Sequence, residues 1–156
     1  YGRRDLLAAL GEFEHFEFRD VPAAARAADE LVTVQSKHPV ALTVDKLEAV
    51  LKEKGVGIVA RVDHAAAAQK VGLELKPTQV LLFGNPKLGT PLMQAKRAIG
   101  LDLPLKVLVY EDDQGKTQVV YTKAEALKAR YGIGDRDEGF KAMAGALSSF
   151  VKAATD

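Results

Sequence analysis

The chain has 156 residues, with 22 Lys+Arg against 21 Asp+Glu and a formal net charge of +1. It holds no cysteine and no tryptophan, which excludes a disulfide scaffold, a Cys-ligated zinc or iron–sulfur site and a cysteine nucleophile. No apolar run reaches the ~20 residues of a membrane-spanning helix, so no such segment is expected. The near-zero charge gives no global nucleic-acid footprint.

The charge is uneven along the chain. Residues 1–30 carry 4 Lys+Arg against 7 Asp+Glu, and residues 31–156 carry 18 against 14. Two parts are expected: residues 1–30 as an acidic, aromatic arm or an added segment, and residues 31–156 as a single domain. The chain begins at Tyr1, as a processed or truncated protein would. The small residues around Ala23–Ala28 resemble a signal-peptidase site. The stretch before them, Glu12 to Arg19, is charged where a signal peptide is apolar, so no intact signal peptide is expected. Three of the six Phe lie between residues 13 and 18. This stretch reads as a strand or arm packed on the body, or as a peptide that docks on a partner.

From residue 30 the pattern becomes regular. Glu30 to Lys37 reads as a strand with Val32 and Val34 on one face. Thr43 can cap a helix carrying Val44, Leu47, Val50 and Leu51, ended by Gly55. Val56 to Asp63 reads as a strand with Val56, Ile58, Ala60 and Val62 on one face. A short helix follows from Ala65 to Val71, capped by Asp63 or His64. Thr78 to Gly84 is a nearly continuous apolar strand, expected at the middle of a sheet. Asn85 to Gly89 reads as a loop. Thr90-Pro91 reads as a cap with Pro at the first helical position, for a helix running to Gly100.

Leu105 to Glu111 and Lys116 to Tyr121 read as strands joined by an Asp112-Asp113-Gln114-Gly115 hairpin turn. Thr122 to Glu125 has the spacing of a capping box, for a helix ending at Gly132. A last helix, with Asp135 and Glu138 near its start, shows a stripe of Phe140, Met143, Leu147, Phe150 and Val151. The order β-α-β-α-β-α-β-β-α-α predicts a two-layer α+β domain with a mixed five-stranded sheet packed against helices.

Two stretches carry a family resemblance. One is Ala60-Arg61-Val62-Asp63-His64-Ala65-Ala66, followed by Val71-Gly72-Leu73-Glu74-Leu75-Lys76-Pro77-Thr78. The other is Phe83-Gly84-Asn85-Pro86-Lys87-Leu88-Gly89-Thr90-Pro91-Leu92-Met93, followed by Leu101-Asp102-Leu103-Pro104-Leu105-Lys106-Val107-Leu108-Val109. With them the segment from Gly55 to Ile133 resembles domain-of-unknown-function family 302, and residues 31–54 fit the family's usual start. The resemblance implies a curved sheet gripping a helix, similar to the TATA-binding-protein arrangement, and a homodimer. It leaves localisation between export and the cytoplasm, and it brings no agreed activity.

The chemistry available is that of His, Asp, Asn, Thr and Lys. Asp63 and His64 stand where a strand passes into a helix. Asp63 reads as a helix cap, and His64 reads either as packed or as a proton carrier or ligand contact. Asn85, Gly89 and Thr90 form a loop leading to a helix start, where free backbone N–H groups suit a small anion, with Lys87 and Lys106 adding positive charge. Gly84 and Gly89 read equally as suppliers of unusual backbone angles.

These residues match neither nucleotide-binding glycine pattern. The histidines at 15, 38 and 64 have no metal-ligand spacing, and Asp112-Asp113 reads as a hairpin tip, so no metal or cofactor is expected. The expected function is a small-molecule- or partner-binding domain, with a polar pocket formed by Asp63, His64, Asn85, Gly89, Thr90 and Lys106. The alternatives are an enzyme using His64 as general acid or base, with an anion at the Thr90 helix start, and an interaction module using the N-terminal arm.

Overall fold

The computed structural model describes residues 30–156. The expected arm, with His15 and Phe13 to Phe18, lies outside the described residues. Five strands form one sheet: β1 (Leu31–Ser36), β2 (Gly57–Asp63), β3 (Thr78–Gly84), β4 (Leu105–Glu111) and β5 (Thr117–Thr122). The helices are α1 (Val40–Glu53), α2 (His64–Lys70), α3 (Pro86–Ala95), α4 (Ala124–Tyr131) and α5 (Asp137–Thr155), with a short 3-10 turn at Arg97–Leu101. The α+β class and the element order are as the sequence predicts.

The sheet order is β1-β5-β4-β3-β2. Every pairing is antiparallel, where a mixed sheet was expected. The reason lies in the connections. The links carrying α2 and α3 each return the chain to the neighbouring strand from the end where it left, so neither makes a parallel crossover.

Alternation then sorts the side chains. Leu81, Phe83, Val107, Val109, Val119 and Tyr121 point to one face and are buried. There they meet Val44, Leu47 and Leu51 of α1 and Leu147, Val151 and Ala154 of α5 in one core. The opposite face carries a row across all five strands: Thr33, Val120, Leu108, Val80 and Val62, each paired in register with the next. Neither α1 nor α5 covers that row, and its apolar members remain partly exposed.

Some local expectations change. Helix α1 starts at Val40, not after Thr43. Thr43 is fully buried and donates to the Pro39 carbonyl, while its hydroxyl also meets Ser36 Oγ at 2.8 Å. Strand β2 has a register shift between Ile58 and Ala60. The extra residue, Val59, puts Ile58 on the helix side and Ala60 and Val62 on the open side, so the four-residue face expected there is broken. The Thr122 to Glu125 capping box does not form, because Thr122 is still in β5 and α4 has no side-chain cap. Gly132 ends α4 in the left-handed region at φ 62°, as its place after the last apolar residue predicts.

A second, smaller core joins Leu92 of α3, Ile99 of the 3-10 turn, Ala124 and Leu127 of α4, Ile133, and Phe140 of α5. Leu105 and Met143 touch both cores. Where these two cores approach each other, they do not close.

Candidate apolar site

The gap between the cores is a cavity of about 380 Å³. Helix α3 forms one wall with Leu88, Leu92 and Met93, and the ends of β3 and β4 form the floor with Phe83 and Leu105. Helix α5 forms the wall opposite. Its cavity face reads Gly139, Ala142, Ala146 and Phe150, with Met143 and Leu147 beside them. Gly139, Ala142 and Ala146 fall at helical spacing on one side. Their small side chains are why α5 fails to fill the space. The cavity opens to solvent at Val59 and Leu88, which are largely exposed.

Helix α3 begins five residues before the predicted start. Asn85 caps it by accepting from Lys87 N–H at 2.9 Å, and Pro86 takes the first helical position. Thr90 is therefore inside the helix and Pro91 follows it there. The sequence offers two cap-and-proline signals in series, Asn85-Pro86 and Thr90-Pro91, and the first one starts the helix. The residues expected as a loop, 85–89, are its cap and first turn. The expected anion site at a Thr90 helix start is thus absent. Gly84 and Gly89 lack the positive φ found at Gly55, Gly72, Gly115 and Gly132. A Cβ on Gly89 would sit 3.6 Å from Leu103 Cδ1, an ordinary contact.

The structure divides the six expected site residues. Asn85, Gly89 and Thr90 line the cavity. Asp63 and His64 do not. Gly57 pairs with Gly84 at the cavity end of β2, and Asp63 pairs with Gln79 at the other end. Six residues of strand separate them, about 20 Å. Asp63 does cap α2, accepting from Ala66 N–H at 2.8 Å, and His64 is the exposed first residue of that helix. Lys106 pairs with Leu82 on the open face and donates to the Pro104 carbonyl at 3.3 Å. No single pocket unites the six, and the His64 to Thr90 arrangement required by the enzyme reading does not exist.

Among the described residues the cavity lining holds no Asp, Glu, Lys, Arg or His, and Asn85 and Thr90 are its only polar side chains. It is an apolar site with a polar edge, where a polar pocket was expected. What sequence reasoning missed is the α5 wall. Its Gly139-x-x-Ala142-x-x-x-Ala146 spacing is visible in the chain, but that these residues face α3 follows only from the tertiary fold.

Charged groups cluster nearby, outside the lining. Asp102, after the 3-10 turn, accepts from Tyr131 Oη and from Arg130 at 3.0 Å, and Arg130 also donates to Glu30 at 2.7 Å. Burial pushes the Asp102 carboxyl up, but the hydrogen bonds from Tyr131 and Arg130, with the charges of Arg130 and Lys106, outweigh it and leave it below the usual carboxylate range. The same bond to Asp102 raises the Tyr131 phenol above its ordinary value. The predicted hairpin tip is present. Asp112 accepts from Gln118, Lys116 N–H and Gln114 N–H, and Gly115 supplies the turn's positive φ of 76°.

Comparison with known proteins places this geometry in a wider set. A 24% identical crystal structure of an uncharacterised conserved protein from Bacillus stearothermophilus shares the fold at a TM-score of 0.65, over 81% of this chain and 96% of that one. A Brucella suis protein named fluoride-specific ion channel FluC 1 is 42% identical over 132 residues, covering 84% of this chain and 52% of that protein. Proteins of Brucella abortus and Brucella melitensis, named FluC 1 and FluC 2, are also 42% identical over 132 residues, with 49% of their length covered. The chain spans about half the length of these curated relatives. The family model "Domain of unknown function DUF302" matches residues 32–150, the sheet except Leu31 and α5 as far as Phe150. The chain belongs to the DUF302 family.

Proposed function

We propose that this domain is a binding module whose ligand enters the cavity between α3 and α5. The observation that carries this reading is the unfilled apolar cavity of about 380 Å³, within the ~300–1,000 Å³ range of small-molecule sites. The buried side chains on either side gather into two core clusters, and the cavity lies between them. The reading includes a homodimer through the open sheet face, where the described residues leave the row of Thr33, Val120, Leu108, Val80 and Val62 uncovered. Native mass spectrometry of protein purified from its host tests both parts. A retained small molecule and a doubled chain mass are expected. A bare single-chain mass under conditions that preserve weak complexes counts against both.

A second reading rests on the Brucella relatives, named as fluoride-specific ion channels. Among the described residues no helix is long and apolar enough to cross a membrane. The half-length match therefore concerns a region unlike a membrane-spanning helix. In this reading the domain works beside a membrane channel, as a partner or a joined domain. Reconstituting the Brucella suis protein in liposomes, with and without the region matching this chain, tests it. A changed fluoride efflux is expected, and identical efflux counts against it.

A further inference from the structure

We propose that the cavity takes an uncharged, predominantly apolar molecule that carries a hydrogen-bond acceptor, and that the side-chain amide of Asn85 donates to that acceptor. This rests on the reading of the domain as a binding module and names the ligand class. Three observations lead to it. Among the described residues the lining has no ionisable side chain, so an ionised group taken inside would lose hydration that this lining does not replace. The lining is otherwise aliphatic, aromatic and thioether, with Leu92, Met93 and Met143 offering soft, adaptable surface.

Asn85 supplies the third. Its Oδ1 is committed to the Lys87 N–H as the α3 cap. That leaves its two amide N–H groups, which bond to no other described side chain or carbonyl, as donors at the cavity edge. A donor that meets an apolar ligand bearing a ketone, ester or ether oxygen gives orientation without charge. Thr90, beside it in the lining, is exposed and marks the solvent side of the same edge. The volume is that of about a dozen water-sized units, room for a small organic molecule.

Fluorescence titration of the whole chain tests this with two dyes of similar size. Prodan is an uncharged naphthyl ketone, and anilinonaphthalene sulfonate is an anion. Prodan is expected to bind more tightly. Its binding should be lost in Ala146→Phe, which fills the cavity from α5, and in Ala142→Leu, which fills it from the preceding turn. Melting curves check that both variants are folded. Asn85→Asp keeps the cap acceptor but removes the amide donors. It should weaken Prodan binding about tenfold, the scale of one lost buried hydrogen bond.

A preference for the sulfonate would overturn the ligand class while leaving the binding-module reading intact. Binding of neither dye would remove both. Prodan bound equally well by the two filled variants would place the dye elsewhere on the molecule and overturn the proposal. An unchanged affinity in Asn85→Asp would overturn the role of its amide.

Discussion

The side chains that hold the cavity's surroundings in place are not the ones that line it. Asp102 joins Tyr131 and Arg130, and Arg130 reaches on to Glu30. One carboxylate thus ties the 3-10 turn to the end of α4 and the start of β1. Because the folded Asp102 has a lowered pKa, its contribution is complete above the unfolded value of about 3.9 and is lost as pH falls through the folded one. Asp102→Asn should cost about 1 kcal/mol at neutral pH, a charge-assisted bond discounted for partial exposure. The gap between variant and parent should close as the solution is acidified. Urea midpoints at neutral and acidic pH measure this, and a gap that persists in acid refutes the electrostatic account. Tyr131 runs in the opposite sense. Its raised pKa means a contribution present below the ordinary phenol value and lost as pH rises through the raised one. In Asp102→Asn the phenol should titrate lower than in the parent, which absorbance of phenolate reports.

Elements differ in how plainly the chain announces them. Strands β3 and β4 are readable to the residue, because each is a short, mainly apolar run bounded by turn residues. The start of α3 is not readable in that way, because Asn85-Pro86 and Thr90-Pro91 both have the chemistry of a helix start. The first signal is the one used: Asn85 accepts from Lys87 N–H and Pro86 opens the helix. The Asn85 cap therefore carries measurable weight. Asn85→Ala should destabilise the domain by about 1 kcal/mol and Asn85→Asp should be nearly neutral, as read by urea denaturation. The same measurement separates the core from the cavity rim. Leu147, 2% exposed and in the main core, should cost about 3 kcal/mol when changed to Ala. Leu88, on α3 at the cavity rim and 67% exposed, should cost less than about 0.5 kcal/mol. The candidate site was half legible for a related reason. Asn85, Gly89 and Thr90 are neighbours in sequence and remain neighbours in space. Asp63 and His64 were joined to them only by a shared position at strand ends, and an antiparallel sheet puts successive strand ends on opposite sides.

At the scale of the molecule the two faces of the sheet have different fates. One is closed by α1 and α5. On the other, Leu108 pairs laterally with Val80 and with Val120, and Val80 pairs with Val62, so four apolar side chains form an unbroken row. Alternation places Lys106 there as the one charged strand residue on this face, in the outer row with Leu82 and Ala60. Among the described residues neither α1 nor α5 crosses this face, and its apolar centre with a single charge suits burial against another apolar face. In the proposed homodimer a second copy would supply one: a two-fold axis through the sheet centre would set the same patch against itself, at the ~10 Å spacing of a sheet sandwich. Light scattering should then give twice the chain mass. Leu108→Glu puts a carboxylate at the middle of the row and, by symmetry, two like charges into the interface, where desolvation and repulsion add. It should yield monomers at micromolar concentration while circular dichroism stays that of the parent, since Leu108 contacts neither core. Asp137→Asn on the far side of the domain, where Asp137 pairs with Lys128, should leave the mass doubled. A Leu108→Glu protein that stays dimeric would move the interface off the sheet, and a monomeric parent chain would remove it altogether.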